Sequence, residues 1–180
     1  MIHAQDVLDF WFNPSTKPFW FTKSDDFDQQ LHQKFADLYQ KACLAELWPW
    51  RKTAEGRLAE IILLDQFSRN LYRNQPAAFA QDAMALALSQ EAIGLELDQQ
   101  LNVEQRAFLY MPFMHSESQF IHTLALDLFE KLNNPINLDF EKRHKEIIDR
   151  FGRYPHRNEI LGRRSTEEER VFLQQPNSSF

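Results

Sequence analysis

The sequence predicts an all-α protein of about eight helices joined by short connections, with neighbouring helices paired as antiparallel hairpins. Three observations carry that prediction. Apolar residues recur at three- and four-residue spacing nearly throughout, and no stretch of useful length alternates as a strand does. Only 4 of the 180 residues are Gly, too few for the turns of a many-stranded sheet. The chain is 43% hydrophobic and 13% aromatic, with 16 Phe, which supports a packed core. A chain of this length buries roughly 70% of its unfolded surface, so residues 1–180 are expected to form one domain.

The first helix spans Ala4 to Phe12, and Pro14 stops it. Ser24 reads as an N-cap, with Asp25 and Asp26 in the first turn, where the helix dipole favours acid. Phe27, Leu31, Phe35, Leu38 and Ala42 then form one helical stripe. A third helix starts at Thr53 and runs to Leu71. It is apolar almost all round (Leu58, Ile61, Ile62, Leu63, Leu64, Phe67), which marks a buried central helix. Pro76 stands at N1 of a fourth, Ala-rich through Ala92 and closed by Gly94. Asn102 and Gln105 have capping-box spacing for a short fifth helix. Pro112 begins or kinks the next, which runs to Leu132 and ends at "NNP". Another covers Leu138 to Phe151, where Gly152 supplies a left-handed closing residue and Pro155 prevents continuation. Ser165 and Glu168 match a second capping box, and "TEEE" opens a last helix to Gln174. The tail "QPNSSF", residues 175–180, is expected to fray.

Composition excludes several classes. Cys43 is the one cysteine, so no intrachain disulfide forms, which fits a reducing cytoplasm. No apolar run approaches the roughly 20 residues of a membrane span, and "MIHAQDVLDFWF" lacks a signal peptide's basic start. No membrane partner is expected. With a net charge of -6, nucleic acid is not expected either. The charge is uneven, however. Residues 142–164 hold eight Lys or Arg against Glu146, Asp149 and Glu159, a local excess of five positive charges. Such a field suits a small anion or an acidic peptide; a solvated basic helix end would look the same.

Charged residues on apolar faces point to a site. Helical wheels put Glu117 in the middle of the stripe Phe113, Phe120, Ile121, Leu124 and Leu128. His144 falls among Phe140, Ile147, Ile148 and Phe151, and Asp65 and Arg69 interrupt the central helix at i,i+4. A buried charge is costly unless paired. Asp65, Arg69, Glu117 and His144 are therefore expected to meet one another, or to meet Arg153 and Arg157. One reading is a polar pocket between helices, where bundles place ligands. Glu117 and His144 would be its catalytic acid–base pair. Asp65, Arg69, Arg153, His156, Arg157 and Asn158 would bind the ligand, the arginines forking onto a carboxylate or phosphate. The other reading is a buried ion network that fixes helix register.

Neither a metal nor another cofactor is expected. "EKRH", Glu141 to His144, has Glu-x-x-His spacing, but carboxylate-bridged metal bundles need two such motifs and two further Glu. The wheel also turns Glu141 toward solvent and sets His115 and His122 on a polar face. Asn70 reads as a helix-ending residue, and the aromatic clusters as core and loop anchors, with a wall of an aromatic-lined pocket as the alternative for Trp20. No "GxSxG" and no phosphate-cradling Gly loop occurs.

"DVLDFWF", the second "FWF", "LLDQFSRNLYR", "MPFMHSES" and "FGRYPHRNEILGRRSTEEE" together resemble the bacterial family called domain of unknown function 924, over nearly the whole chain. The resemblance implies an all-helical fold similar to tetratricopeptide-like superhelices, and no assigned activity. Its motif positions fall on Asp65, Arg69, Asn70, Arg73, His115, Glu117, His144, Arg153, His156, Arg157 and Asn158. The expected function is an inter-helix pocket for a small anionic ligand, with Glu117 and His144 available for catalysis. The alternative is a helical-repeat module that grips a protein or peptide partner, its buried charges structural.

Overall fold

The computed structural model describes residues 2–180, and among them the chain is all helical with no strand. The α-segments are α1 (Ala4–Trp11), α2 (Asp25–Cys43), α3 (Ala54–Ile62), α4 (Ser68–Leu71), α5 (Asp82–Gly94), α6 (Val103–Met114), α7 (Gln119–Leu132), α8 (Pro135–Phe151) and α9 (Glu167–Leu173). A π-helical turn, Leu63–Phe67, joins α3 to α4, so these nine described segments make eight rods. No helix of the described residues is long and apolar enough to cross a membrane.

Side-chain caps set most helix ends. Ser24 Oγ accepts from Phe27 N at 3.3 Å and Thr53 Oγ1 from Gly56 N at 3.0 Å. Asn102 and Gln105 satisfy each other's backbone amides at 2.9 and 3.2 Å, opening α6. Gly152 closes α8 with φ +68°. The central α3 and its π turn are fully buried through Leu58, Ile61, Ile62, Leu63, Leu64 and Phe67. α3 packs against α1, α5 and α6, while α6, α7 and α8 follow one another as packed neighbours. Trp11 from α1 and Phe35 from α2 close the core over Phe67, at ring distances of 5.3 and 5.2 Å.

Three boundaries differ from expectation, each for a local reason. Pro112 neither starts nor ends a helix. It lies three residues from the end of α6, where its missing N–H removes one helical bond. The break comes at Ser116–Ser118 instead, because Ser118 Oγ accepts from Ile121 N (3.4 Å) and starts α7 anew. That restart rotates the wheel: α7 buries His122, Ala125, Phe129 and Leu132, leaving Phe120 70% exposed. Pro76 opens only a 3-10 turn, and α5 begins at Asp82. The last capping box is Thr166 with Glu169, one residue later than Ser165 with Glu168. Two residues of the tail contact the body of the protein. Ser178 Oγ donates to Leu173 O at 3.1 Å, and the Phe180 ring stacks on His144.

Candidate functional site

The π turn supplies the floor of the site. It widens the central helix at Asp65, whose carbonyl accepts from Ser68 Oγ (3.0 Å) and Arg69 Nη1 (2.8 Å). The Asp65 carboxylate has no solvent exposure. It accepts from Gln66 Nε2 at 2.5 Å, lies 2.6 Å from His115 Nδ1, and has Arg69 Nη1 at 3.5 Å. Burial alone would raise its pKa; the neighbouring His115 and Arg69 outweigh burial and hold it down at about 2. Burial, followed by repulsion from Arg69, pushes His115 below its usual range. Near neutral pH the pair is thus a carboxylate and a neutral imidazole. Nδ1–H donates to Asp65, and Nε2 is left as a proton acceptor.

Above this floor one carboxylate bridges two guanidinium groups. Arg69 forks onto Asp82 at 2.9 and 3.0 Å, and Arg157 Nη1 reaches the same carboxylate at 3.3 Å. Arg157 Nη2 donates to His115 O at 3.0 Å, while its buried Nε has no partner. Its guanidinium carbon stands 4.6 Å from the ring centroids of both Phe79 and Tyr154. Burial, then repulsion from Arg69, lowers the Arg157 pKa. The fold therefore compensates this cation less fully than Arg69, whose pKa is raised by Asp82 and Asp65 against the cost of burial.

These groups border a cavity of about 650 Å³. Its polar wall includes Gln66, Arg69, His115, His144, His156 and Arg157. Its aromatic wall includes Trp20, Phe79, Phe140, Tyr154 and Phe180. Burial pushes the pKa of His144 down to about 3 and that of His156 to about 4, so both imidazoles are neutral at pH 7. His144 Nδ1 meets Phe140 O at 2.7 Å. His156 Nδ1 is buried without a partner. Among the described residues, no three His, Cys, Asp or Glu side chains converge to hold a metal ion.

Of the residues expected at the site, Asp65, Arg69, His144, His156 and Arg157 meet in or beneath this cavity. Glu117, Arg153 and Asn158 do not. Glu117 lies in the loop between α6 and α7, not on a helix stripe, and forks with Arg163 at 2.6 and 2.9 Å. Burial would raise its pKa, but Arg163 and the Tyr154 N–H lower it. Arg153 forks with Glu169 at 2.7 and 2.8 Å. Asn158 is buried, donating to Ser165 Oγ and Glu169 Oε2 and accepting from Arg163 Nε at 3.0 Å. The acidic first turn of α9 and Glu117 thus neutralise much of the basic run. They knit its loop together and leave Arg157 as the buried guanidinium of that run at the cavity, the other lining one, Arg143, being exposed and paired with Asp139 at 2.7 Å.

Three polar residues take places other than those the wheels assign. Glu141 is fully buried, with Oε1 2.7 Å from His122 Nδ1, because the restarted α7 turns His122 inward. His115, which closes α6 ahead of that restart, faces Asp65 on the central helix. Asn70 ends no helix: its amide donates to Asp28 at 2.8 Å beside a fork from Arg73, and Asn74 takes the left-handed conformation. Asp82 and Tyr154 stand out by neither spacing nor context in the sequence. Tyr154, whose hydroxyl donates to Met114 O at 2.5 Å, becomes visible only when the loop is seen folded over α6.

Fold and site together define an all-α protein whose helices enclose a cavity floored by an aspartate–histidine pair and flanked by guanidinium groups. The chain belongs to the bacterial family of unknown function DUF924, whose model matches residues 7–177. It is similar to a solved structure of a protein of unknown function from Agrobacterium tumefaciens, at 39% identity and a TM-score of 0.89. That likeness covers 95% of this chain and 96% of the other. No curated protein matches the chain.

Proposed function

We propose that the cavity binds a small anion, a phosphate or carboxylate, with the Asp65–His115 pair beside it to exchange a proton with the bound molecule. The observation that carries this reading is Arg157. It is a buried guanidinium at the cavity wall, held between two rings, whose nearest carboxylate is already forked by Arg69. An incoming carboxylate or phosphate would complete its pairing. Neutral His144 and His156 offer ring nitrogens without adding charge. The proton-exchanging role falls to the Asp65–His115 pair, which has the carboxylate-oriented geometry of a general base: Asp65 fixes the tautomer and Nε2 is the acceptor. A recessed cavity of this size suits a small molecule better than the extended peptide of a helical-repeat module.

Thermal melts with inorganic phosphate or acetate test the binding. Either anion raises the melting temperature of the wild type, and Arg157→Gln, once shown helical by circular dichroism, loses that response. Arg157→Lys retains the charge without the fork and keeps a weakened response. A wild type indifferent to both anions overturns the proposal. Nitrogen spectra of the His115 imidazole test the pair: an Nε2–H tautomer overturns its role as base.

A further inference from the structure

The last residue of the tail is seated in the cavity wall. The Phe180 ring stacks on His144 with centroids 3.8 Å apart and planes 28° from parallel. Its edge contacts are His156 at 5.8 Å and Tyr154 at 6.3 Å, both near perpendicular. His144 beneath it is 5% exposed, whereas Phe180 is 50% exposed. The floor of this slot is therefore enclosed, and its filling is open to solvent. α8 holds the imidazole rigidly, while the tail's side-chain anchor is the bond from Ser178 Oγ to Leu173 O. A half-exposed ring lies on a buried aromatic platform.

The slot adjoins the anion wall. Tyr154 borders both, its ring centroid 4.6 Å from the Arg157 guanidinium carbon and 6.3 Å from the Phe180 ring. All three line the same cavity, so a molecule carrying both a planar ring and an acidic group can reach both walls. We propose that this slot is the aromatic half of the ligand site, that the ligand is a small aromatic anion such as an aryl phosphate or aryl carboxylate, and that Phe180 is the ring it displaces. This rests on the anion-binding reading above and adds the class of ligand to it. The neutral state of His144 agrees with the assignment, since burial keeps a proton off the imidazole under the stacked ring.

Phenyl phosphate and inorganic phosphate, each titrated calorimetrically into the full chain, separate the two ideas. Phenyl phosphate binds at least tenfold more tightly than phosphate in the wild type. In Phe180→Ala the ratio of the two affinities rises several-fold further, because no resident ring competes. Nuclear Overhauser contacts from the phenyl protons reach the His144 ring. Equal affinities for the two probes overturn the aromatic slot while leaving anion binding intact, and so does a ratio unchanged in Phe180→Ala. Failure of both probes to bind overturns the anion site itself.

Discussion

Acid should unfold this protein through its histidines before its depressed carboxylates contribute. His144 and His156 ionise near 3 and 4 in the folded chain because burial disfavours the imidazolium, against an ordinary value of 6.5. The unfolded chain takes up both protons as pH falls through 6.5, and the folded chain refuses them. Their contribution to stability is therefore complete above about pH 6.5 and is lost progressively toward pH 3–4. Each refused proton costs about 1.4 kcal/mol per pH unit, so between pH 7 and pH 5 the two groups together remove about 4 kcal/mol. That is a large share of the roughly 5–15 kcal/mol that holds a typical domain. Asp65 and Glu169, both depressed to about 2, work with the usual acid sign, mainly below about pH 4.5 and so below this window. Urea unfolding followed by circular dichroism at pH 7, 6 and 5 measures the loss. His144→Phe/His156→Phe keeps planar rings in the same space and removes both titrations. Its stability should be much flatter over that range, with His115 contributing in the same sense and Glu141, raised by burial, in the opposite one. Parallel curves for wild type and double variant, with equal denaturant dependence, would refute the reasoning.

Two further perturbations test the frame around the site. Gly56→Ala adds a better helix former worth about 1 kcal/mol, but its Cβ would lie 1.9 Å from the Trp50 carbonyl oxygen, a backbone atom. Overpacking of this kind costs about 1–3 kcal/mol, and the clash wins. The melting temperature should fall by several degrees in a scan, and a rise would contradict the close approach. Glu117→Gln leaves Arg163 with a neutral partner and should cost about 1–2 kcal/mol, most of it recovered in a double-mutant cycle with Arg163→Gln. Its response to phosphate should match the wild type, and loss of that response in a folded variant would return Glu117 to the site.

How much of this was legible in the sequence follows from which signals are local. Caps are local, so Ser24, Thr53, Asn102 and Gly152 mark true helix ends. Core stripes are nearly local, and the α2 stripe from Phe27 to Ala42 is buried throughout. The error in α7 began as one boundary. Running a helix from Pro112 through Leu132 ignored Ser118 as a new cap, and a wheel carried through that break assigned faces wrongly to His115, Glu117 and His122. The π turn had the opposite effect. Asp65 and Arg69 were recognisable as inward charges because the helix around them is apolar on every side, whatever its pitch. Pairing across the chain is not local at all. No spacing rule connects Glu117 with Arg163, or Arg157 with Asp82, which are 46 and 75 residues apart.

The basic segment shows why a charge run alone is a poor guide to an anion site. A fork consumes a cation's hydrogen-bonding capacity as well as its charge. Arg153 and Arg163 spend theirs on Glu169 and Glu117, so they fix the loop and face no ligand. What sets Arg157 apart is competition for one carboxylate. Asp82 lies in the first turn of α5, where the helix dipole already favours its negative charge, and Arg69 takes both of its oxygens. Arg69 is aimed there because its Nη1 is also tethered to the Asp65 carbonyl in the π turn. The irregular turn thus acts on the cavity through a chain of contacts: it orients Arg69, Arg69 occupies Asp82, and Asp82 has little left for Arg157. Arg69→Gln would remove that fork from Asp82. Both Asp82 oxygens would then be open to Arg157, and the incomplete pairing on which the proposed anion site rests would disappear.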